Sequence, residues 1–473
     1  SEMSQGTALP GTLAVGSTTH SGSGDSRTHT ATITGAFTSG VTSDTTTNGI
    51  LLKAQNDTDA TKAITLGSSG GYDGIGITQK STGRPTMFNG RRYHGIPNTT
   101  KSITGYGFAP DLIWVKSRTS AWHQMHDTVR GTSGSGAGVL YPNDANVAET
   151  GSAIQSFDSD GFTLHSSRSN SINSDNGIIA WGFKAGGVPS AYGKKKINGD
   201  ESDLGSNDYN NLHAVDDTSH GMKQSINTTG GFSITKFSLG ATSGYGWFKH
   251  GFSGDPDWVI IRRLDATYNW DTWHSGLTTS WNANQTLRLN TAESLQSGRG
   301  NIFRDSSTTG FPKGDGKIYI DKGAIHGGDA DDEFICYAWK AVAGVSAFGT
   351  YTGNGAGGGV RQYTTTSGNA ASGSDTGFRP RWIMSKSSNS TSAFASWTII
   401  DGFRSDFGTS GTKTLAASET LPLYADLGKQ EGQRSNNTNT SVVQAHIYDD
   451  GFQLYGDCSE VNASDNYVWI AFA

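Results

Sequence analysis

Charged side chains are scarce in this chain: 16% of its 473 residues, against about 25% in an average soluble domain. Gly, Ser and Thr stand where charged helix formers would, and no long run carries apolar residues at helical spacing, so the chain reads as almost entirely strand and loop. Two cysteines, Cys336 and Cys458, cannot supply a disulfide framework, and a bridge between them would have to join separate repeats, so none is expected. No stretch approaches the roughly 18 apolar residues of a membrane-spanning helix, which argues against membrane insertion. The polar start Ser1-Glu2-Met3-Ser4-Gln5 does not read as a signal peptide, which disfavours an exported, membrane-anchored adhesin; it fits removal of an initiator Met or cleavage from a longer chain. Net charge is −6 with Lys and Arg scattered among acids, so the basic footprint of a nucleic-acid binder is absent. The one short basic run, Lys194-Lys195-Lys196, lies in a polar connector and reads as solvated linker.

What the chain does have is repetition. Gly107-Phe108-Ala109-Pro110-Asp111-Leu112-Ile113-Trp114-Val115-Lys116 returns, altered, from Gly251 to Arg262 and again from Gly377 to Lys386. An aromatic segment follows each, led by Trp122, Trp270 and Trp397, at 12, 14 and 17 residues beyond Pro110, Pro256 and Pro380. A turn signal comes next: Asp158-Ser159-Asp160-Gly161-Phe162, the weaker Thr309-Gly310-Phe311, then Asp449-Asp450-Gly451-Phe452. Each copy closes on an apolar strand, Gly177 to Ala185, Phe334 to Ala341 and Tyr467 to Ala473. Agreement in order and content makes three diverged copies of one module, and repeats set the architecture before any motif is weighed.

Short alternating or apolar segments bounded by Gly, Asn, Asp and Ser, recurring roughly every ten to fifteen residues, predict an all-β fold of sandwich or barrel type. The expected organisation is an N-terminal segment at 1–85, β-sandwich repeats at 86–188, 230–343 and 344–473, and a linker at 189–229. Repeats of roughly 100 to 130 residues are large enough to fold as independent sandwiches. The Thr/Ser/Gly-rich N-terminal segment contains strand-like pieces at His29–Thr34, Ile50–Ala54 and Gly74–Thr78. It buries too little apolar surface to fold alone and is expected to pair with a neighbouring subunit or dock on a larger assembly.

The phrases Gly107 to Lys116, Phe157 to Leu164, Ile178 to Ala185 and Tyr351-Thr352-Gly353-Asn354-Gly355, with the ending Tyr467 to Ala473, resemble an uncharacterised repeat domain of virion and tail-fibre proteins of marine bacteriophages. That domain is similar to concanavalin A-like lectin sandwiches. The resemblance covers about residues 90–473. The second copy departs most, with extra residues between Phe252 and Pro256 and an insertion before Phe334. It implies jelly-roll-type sandwiches and a place on the virion surface, and it brings no catalytic residues.

Tryptophans repeated at matching places serve what the copies share, the core, where each removes about 150 to 250 Å² from water. Trp122, Trp270, Trp397, Trp181, Trp339 and Trp469 are therefore expected inside. Aromatics of the second repeat alone, Trp247, Tyr268, Trp273 and Trp281, are the candidates for stacking on sugar rings. Asp158, Asp160, Asp449 and Asp450 precede Gly-Phe and read as turn formers. Asp329, Asp331 and Asp332 are the densest acidic cluster but lack the spacing of a Ca²⁺ loop, and His123 and His126, three apart in a strand, face opposite ways, so no metal or other cofactor is expected. Nucleophile elbows and Walker spacing are absent, Gly353 to Gly359 reading as a strand connection.

The function expected is non-catalytic: a tail-fibre or spike-type virion component contacting host cell-surface glycans, assembled as a homotrimer or other symmetric oligomer and joined to other virion proteins through its N-terminal segment. A capsid decoration protein or head fibre is the structural alternative, and a polysaccharide depolymerase the enzymatic one.

Overall fold

The computed structural model describes residues 87–473 apart from short stretches at 120, 133–137, 149–150, 167–171, 175–176, 241–243, 278–285, 297–313, 326–328, 356, 371–374, 391, 393–394, 436–441 and 457–458, together with 14–21 and 28–34. The chain divides into two units, Ser1–Arg84 and Pro85–Ala473. In the first, β1 (Ala14–Ser21) and β2 (Thr28–Thr34) pair antiparallel, β2 covering the predicted piece at His29–Thr34. The pieces at Ile50–Ala54 and Gly74–Thr78 lie outside the described residues.

The second unit is all-β as expected, with one single-turn helix among the described residues. Its first repeat comprises β3 (Phe88–His94), β4 (Lys101–Thr104), β5 (Leu112–Ser117), β6 (His123–Asp127), β7 (Ile154–Asp158), β8 (Gly161–Leu164) and β9 (Gly177–Phe183). They form a larger sheet, β3-β9-β5-β6, and a smaller one, β4-β8-β7. The connector supplies β10 (Lys194–Ile197), β11 (Asp200–Asp203), β12 (Tyr209–Asn210) and β13 (Lys223–Asn227). The second repeat supplies β14 (Phe232–Ser238), β15 (Tyr245–Lys249), β16 (Trp258–Arg263), β17 (Asp271–His274), β18 (Leu287–Arg288), β19 (Lys317–Asp321) and β20 (Glu333–Trp339). The third has β21 (Ser346–Thr352), β22 (Val360–Tyr363), β23 (Trp382–Ser387), β24 (Thr398–Asp401), β25 (Lys413–Leu415), α1 (Ala417–Thr420), β26 (Leu423–Tyr424), β27 (Gln444–Tyr448), β28 (Gly451–Tyr455) and β29 (Asn466–Phe472). Larger sheets again contain β14-β20-β16-β17-β18 and β21-β29-β23-β24-β26, with smaller sheets β12-β15-β19 and β22-β28-β27-β25.

In each repeat the apolar closing strand, β9, β20 or β29, lies between the opening strand and the strand two residues past the motif proline. These central strands are apolar on both faces because both faces are covered. Ile113, Val115, Ile178 and Ala180 point into the core between the first repeat's two sheets. Leu112, Trp114, Ile179 and Trp181 point the other way, into a core that also contains Trp258, Trp339, Trp382 and Trp397 from the other repeats. The independent sandwiches expected from repeat length are thus corrected: three sheet pairs share one tryptophan-rich core.

The repeats close on one another in sequence, and one bond recurs at every join. Ala148 N donates to Leu264 O at 3.3 Å, Leu295 N to Ser388 O at 2.7 Å and Glu431 N to Arg118 O at 3.0 Å. The register makes these three bonds equivalent, since each acceptor lies two residues past the buried basic residue, Arg262, Lys386 or Lys116, that ends a Pro-led strand. First joins second, second joins third, and third returns to first, so the ring is closed.

Register also corrects an alignment made by residue type. Arg262 and Lys386 lie one rung past the Ile261–Asp271 and Ser385–Thr398 pairs, opposite Trp270 and Trp397, whereas Lys116 pairs with His123. His123, not Trp122, occupies the tryptophan slot in the first repeat. Its ring accepts from Trp114 Nε1 at 2.9 Å and donates through Nε2 to Tyr424 O of the third repeat at 2.7 Å. The true equivalents do the same work: Trp270 Nε1 donates to Asp144 O and Trp397 Nε1 to Arg288 O. Trp122, expected in the core, is 44% exposed and packs edge-on against Tyr141. The other five repeated tryptophans are buried.

The stretch read as linker at 189–229 is likewise structured. β10 pairs in parallel with β13 and antiparallel with β11, extending the second repeat's larger sheet, while Lys194 and Lys195 pair with Asp203 and Asp208.

Candidate functional site

The four aromatics singled out in the second repeat do not converge. Trp273 is 3% exposed in that repeat's core, because β17 alternates and its phase points Trp273 between the sheets, so it offers no face to a ligand. Tyr268 is half-buried beneath the Arg263 guanidinium, 5.2 Å from its ring centroid. Trp281 lies outside the described residues. Trp247 sits on the outward phase of β15, in register with Tyr319, with Lys317 Nζ 4.3 Å from its ring centroid. Burial, and then the bond its hydroxyl donates to Asp315 at 2.5 Å, hold the Tyr319 phenol well above its ordinary range.

A richer arrangement occupies the same outward face in the third repeat. Arg361, Gln453, His446 and Thr414 form one rung across all four strands of the smaller sheet, β22, β28, β27 and β25. Tyr363 and Tyr448 flank this rung on one side, separated by Gly451, which carries no side chain. Tyr455 and Gln444 flank it on the other. Their neighbours along each strand, Phe452, Leu454, Ala445, Ile447 and Leu415, point inward and are buried. This alternation fixes the outward set on a rigid base.

Internal contacts order the face. The Arg361 guanidinium lies 3.7 Å from the Tyr448 ring centroid and 5.1 Å from that of Tyr363, and it is ion-paired with Asp450. His446 stacks on Tyr455 with centroids 4.7 Å apart and an interplanar angle of 21°, and its Nδ1 is 2.9 Å from Thr414 Oγ1. Tyr448 donates to Gln453 Oε1 at 2.9 Å. All but Thr414, which is exposed, are partly exposed. The result is a level surface of aromatic rings interleaved with amide, imidazole and guanidinium groups. Such a surface stacks on the C–H faces of sugar rings and hydrogen-bonds their hydroxyls. The equivalent face in the first repeat has hydroxyls instead, with Ser102, Thr163 and Ser156 arranged around Asp158.

Elsewhere the polar groups serve the scaffold. A recess of about 480 Å³ between the first repeat and the connector includes Asp111, whose carboxyl burial lifts to about 6. Asp111 accepts from Thr128 Oγ1 at 2.9 Å and from Ala185 N at 2.8 Å, anchoring the end of β9. Asp257 does the same for Ala341 N in the second repeat, so this carboxylate belongs to the shared fold. Ser159 and Asp160 form the β7–β8 turn, and Asp160 accepts from Gly105 N and Gly107 N; Asp449 and Asp450 form the β27–β28 turn. His126 is buried against Ser152 and Gln124. Asp332 is engaged by Arg263, whereas Asp331 turns to His213, so the acidic cluster divides. Among the described residues, His213, His220 and Asp331 are grouped closely enough to hold a metal ion.

A family model described as a domain of unknown function, DUF7483, matches residues 85–203 and 210–473. The chain belongs to the DUF7483 family. No curated protein and no solved structure matches it. The match begins where the second compact unit begins, so in this DUF7483 chain the closed ring of repeats is the family's domain.

Sequence reasoning missed the face in the third repeat although a signal was present. Gln444 to Tyr448 and Gly451 to Tyr455 alternate between apolar residues, Phe452 among them, and polar residues or tyrosines, with the tyrosines in the outward phase. His213 and His220 had no such signal, because their partner Asp331 is over a hundred residues away.

Proposed function

We propose that the protein is a virion-surface component of tail-fibre or spike type that binds host glycans non-covalently through the outward face of its third repeat. The observation carrying this reading is the four-strand rung Arg361–Gln453–His446–Thr414 flanked by Tyr363, Tyr448 and Tyr455. Sugars are recognised by stacking plus directional hydrogen bonds, and this face offers both on a base that need not reorganise. Trp247, with Lys317 over its ring, gives the second repeat a second, smaller surface of similar chemistry. Weak sites of this kind gain strength when several are presented together, which a symmetric oligomer provides. The virion setting rests on the repeat resemblance and on the low-charge, Gly/Ser/Thr-rich composition.

Glycan-array screening followed by calorimetry tests the binding. Tyr448→Ala and Tyr455→Ala are each expected to weaken the best glycan at least about tenfold, in keeping with about 1.4 kcal/mol for a lost ring contact. Their melting temperatures should stay close to the parent's, because both rings face solvent. Binding retained in the double variant overturns this face as the site, and oligosaccharide release from host polysaccharide would make the protein a depolymerase instead. Labelling in intact particles separates tail tip from capsid lattice, the latter favouring a decoration role.

A further inference from the structure

Independently of the glycan reading, we propose that His213, His220 and Asp331 form a binding site for a first-row divalent transition metal that pins the connector to the segment preceding β20. Their potential ligand atoms all lie within 4.8 Å of one another. His213 Nε2 is 3.0 Å from Asp331 Oδ1, and the two imidazole centroids are 5.6 Å apart. Ligand atoms bound at about 2.0–2.2 Å in a tetrahedral Zn²⁺ site stand roughly 3.3 Å from each other, so modest side-chain rotation converts this group into a coordination set.

The backbone delivers the three from separate directions and holds two of them to one strand end. His213 N donates to Ser238 O at 2.9 Å, and Leu212 bridges Leu239. Asp331 N donates to Leu239 O at 2.9 Å, and Leu239 N to Asp332 O at 3.1 Å. Asp331 itself has φ +72°, a left-handed conformation that turns its carboxylate towards His213. His220 comes from the turn at 217–220, where Asp217 Oδ1 accepts from Ser219 N and His220 N, both at 2.7 Å.

The donor set selects the metal class. Two imidazoles and one carboxylate suit Zn²⁺ and its neighbours, whereas Ca²⁺ and Mg²⁺ require a shell built from oxygen. His213 Nδ1 is 3.4 Å from Ala214 O, a contact that orients the ring with Nε2 towards Asp331. The site is partly open: side-chain exposure is 23% for His213, 39% for His220 and 53% for Asp331. Three protein ligands therefore leave water the remaining positions. A bound ion would tie the connector, residues 211–221, to the segment preceding β20 and so stabilise the second repeat.

The test uses the full chain, stripped with chelator and titrated with Zn²⁺ alone by calorimetry, with Co²⁺ as a spectroscopic probe. One equivalent is expected to bind with micromolar or tighter affinity and to raise the melting temperature by at least about 3 °C at saturating Zn²⁺. Co²⁺ should give visible bands of a four- or five-coordinate nitrogen–oxygen site. His220→Gln and Asp331→Asn should each weaken Zn²⁺ at least about tenfold. Asn tolerates the left-handed backbone at 331 and both side chains are solvent-accessible, so the metal-free variants should melt with the metal-free parent. Zn²⁺ affinity of the parent no tighter than millimolar, or affinity unchanged in both variants, overturns the proposal and leaves His213–Asp331 a surface ion pair.

Discussion

His274 sits between the second and third repeats with both ring nitrogens engaged: Nε2 donates to Trp469 O at 3.0 Å, and Nδ1 accepts from Gly276 N at 2.9 Å. That pattern requires the neutral ring, and burial pushes its pKa down to about 4. His250 is likewise lowered to about 4 and His126 to about 3, both chiefly by burial, and burial lowers His123 as well. A group whose folded pKa is depressed gives stability that is present above its unfolded value and lost as pH falls through the folded one. For His274 and His250 the loss therefore runs from about pH 6.5 down to about pH 4, on the order of 3 kcal/mol each. Asp111, raised to about 6 by burial, opposes this over the same range, since its stability is regained as pH falls, and burial raises Asp255, Asp257, Asp332 and Asp426 in the same sense. His274→Gln, which cannot be protonated there, should shift the slope of the urea midpoint between pH 7 and 4 towards less loss on acidification than in the parent. A slope unchanged in that variant would remove the 2–3 join from the acid response.

Elements explain what the sequence made legible. The closing strands and the Pro-led strands were readable because burial on both faces leaves continuous apolar runs such as Trp258-Val259-Ile260-Ile261. The seams were not, because a buried basic residue looks the same in sequence whether it faces water or a neighbouring carbonyl. Lys116, Arg262 and Lys386 end equivalent strands and are all buried. Arg262 donates to Ala145 O and Asn146 O of the first repeat and to its own Tyr268 O, while Lys386 donates to Ala292 O of the second and to Ala395 O. Arg262 and Lys386 thus each secure a segment of the preceding repeat, whereas Lys116 donates to Ser117 O and Thr119 O of its own. The same blindness placed Trp122 inside, since pairing register, not residue type, decides that His123 fills the slot. Arg262→Met should orphan three carbonyls at about 1–3 kcal/mol each, less whatever water recovers, and lower the urea midpoint accordingly. Arg262→Lys should cost under half as much, because Lys386 performs this task in the third repeat; equal losses in both variants would mean that packing, not bonding, matters at this position.

At the scale of the whole second unit, a ring that returns on itself has no terminal repeat to fray. An open array adds stability repeat by repeat and melts from its ends. Here the third repeat is fastened back to the first through the bidentate pair of Arg118 and Glu431, at 2.5 and 2.9 Å, and through His123 to Tyr424 O. Beneath these bonds lies the shared core, where Trp181 touches Trp114 of its own repeat and Trp382 of the third, and Phe183 touches Trp339 of the second and Phe472 of the third. Removing one repeat would expose a face of that core on each of its neighbours, each buried aromatic returning about 150–250 Å² to water. Residues 85–473 are therefore expected to melt in a single calorimetric transition whose van't Hoff and calorimetric enthalpies agree. A fragment ending at Lys184 should bind a hydrophobic dye and lack a cooperative melt, although its own two-sheet core is complete. Trp181→Ala, at a cost of about 3–5 kcal/mol, should lower the single transition of the ring as a whole. Were it to split off a low-temperature transition for the first repeat alone, the repeats would be independent sandwiches in contact and not one cooperative ring.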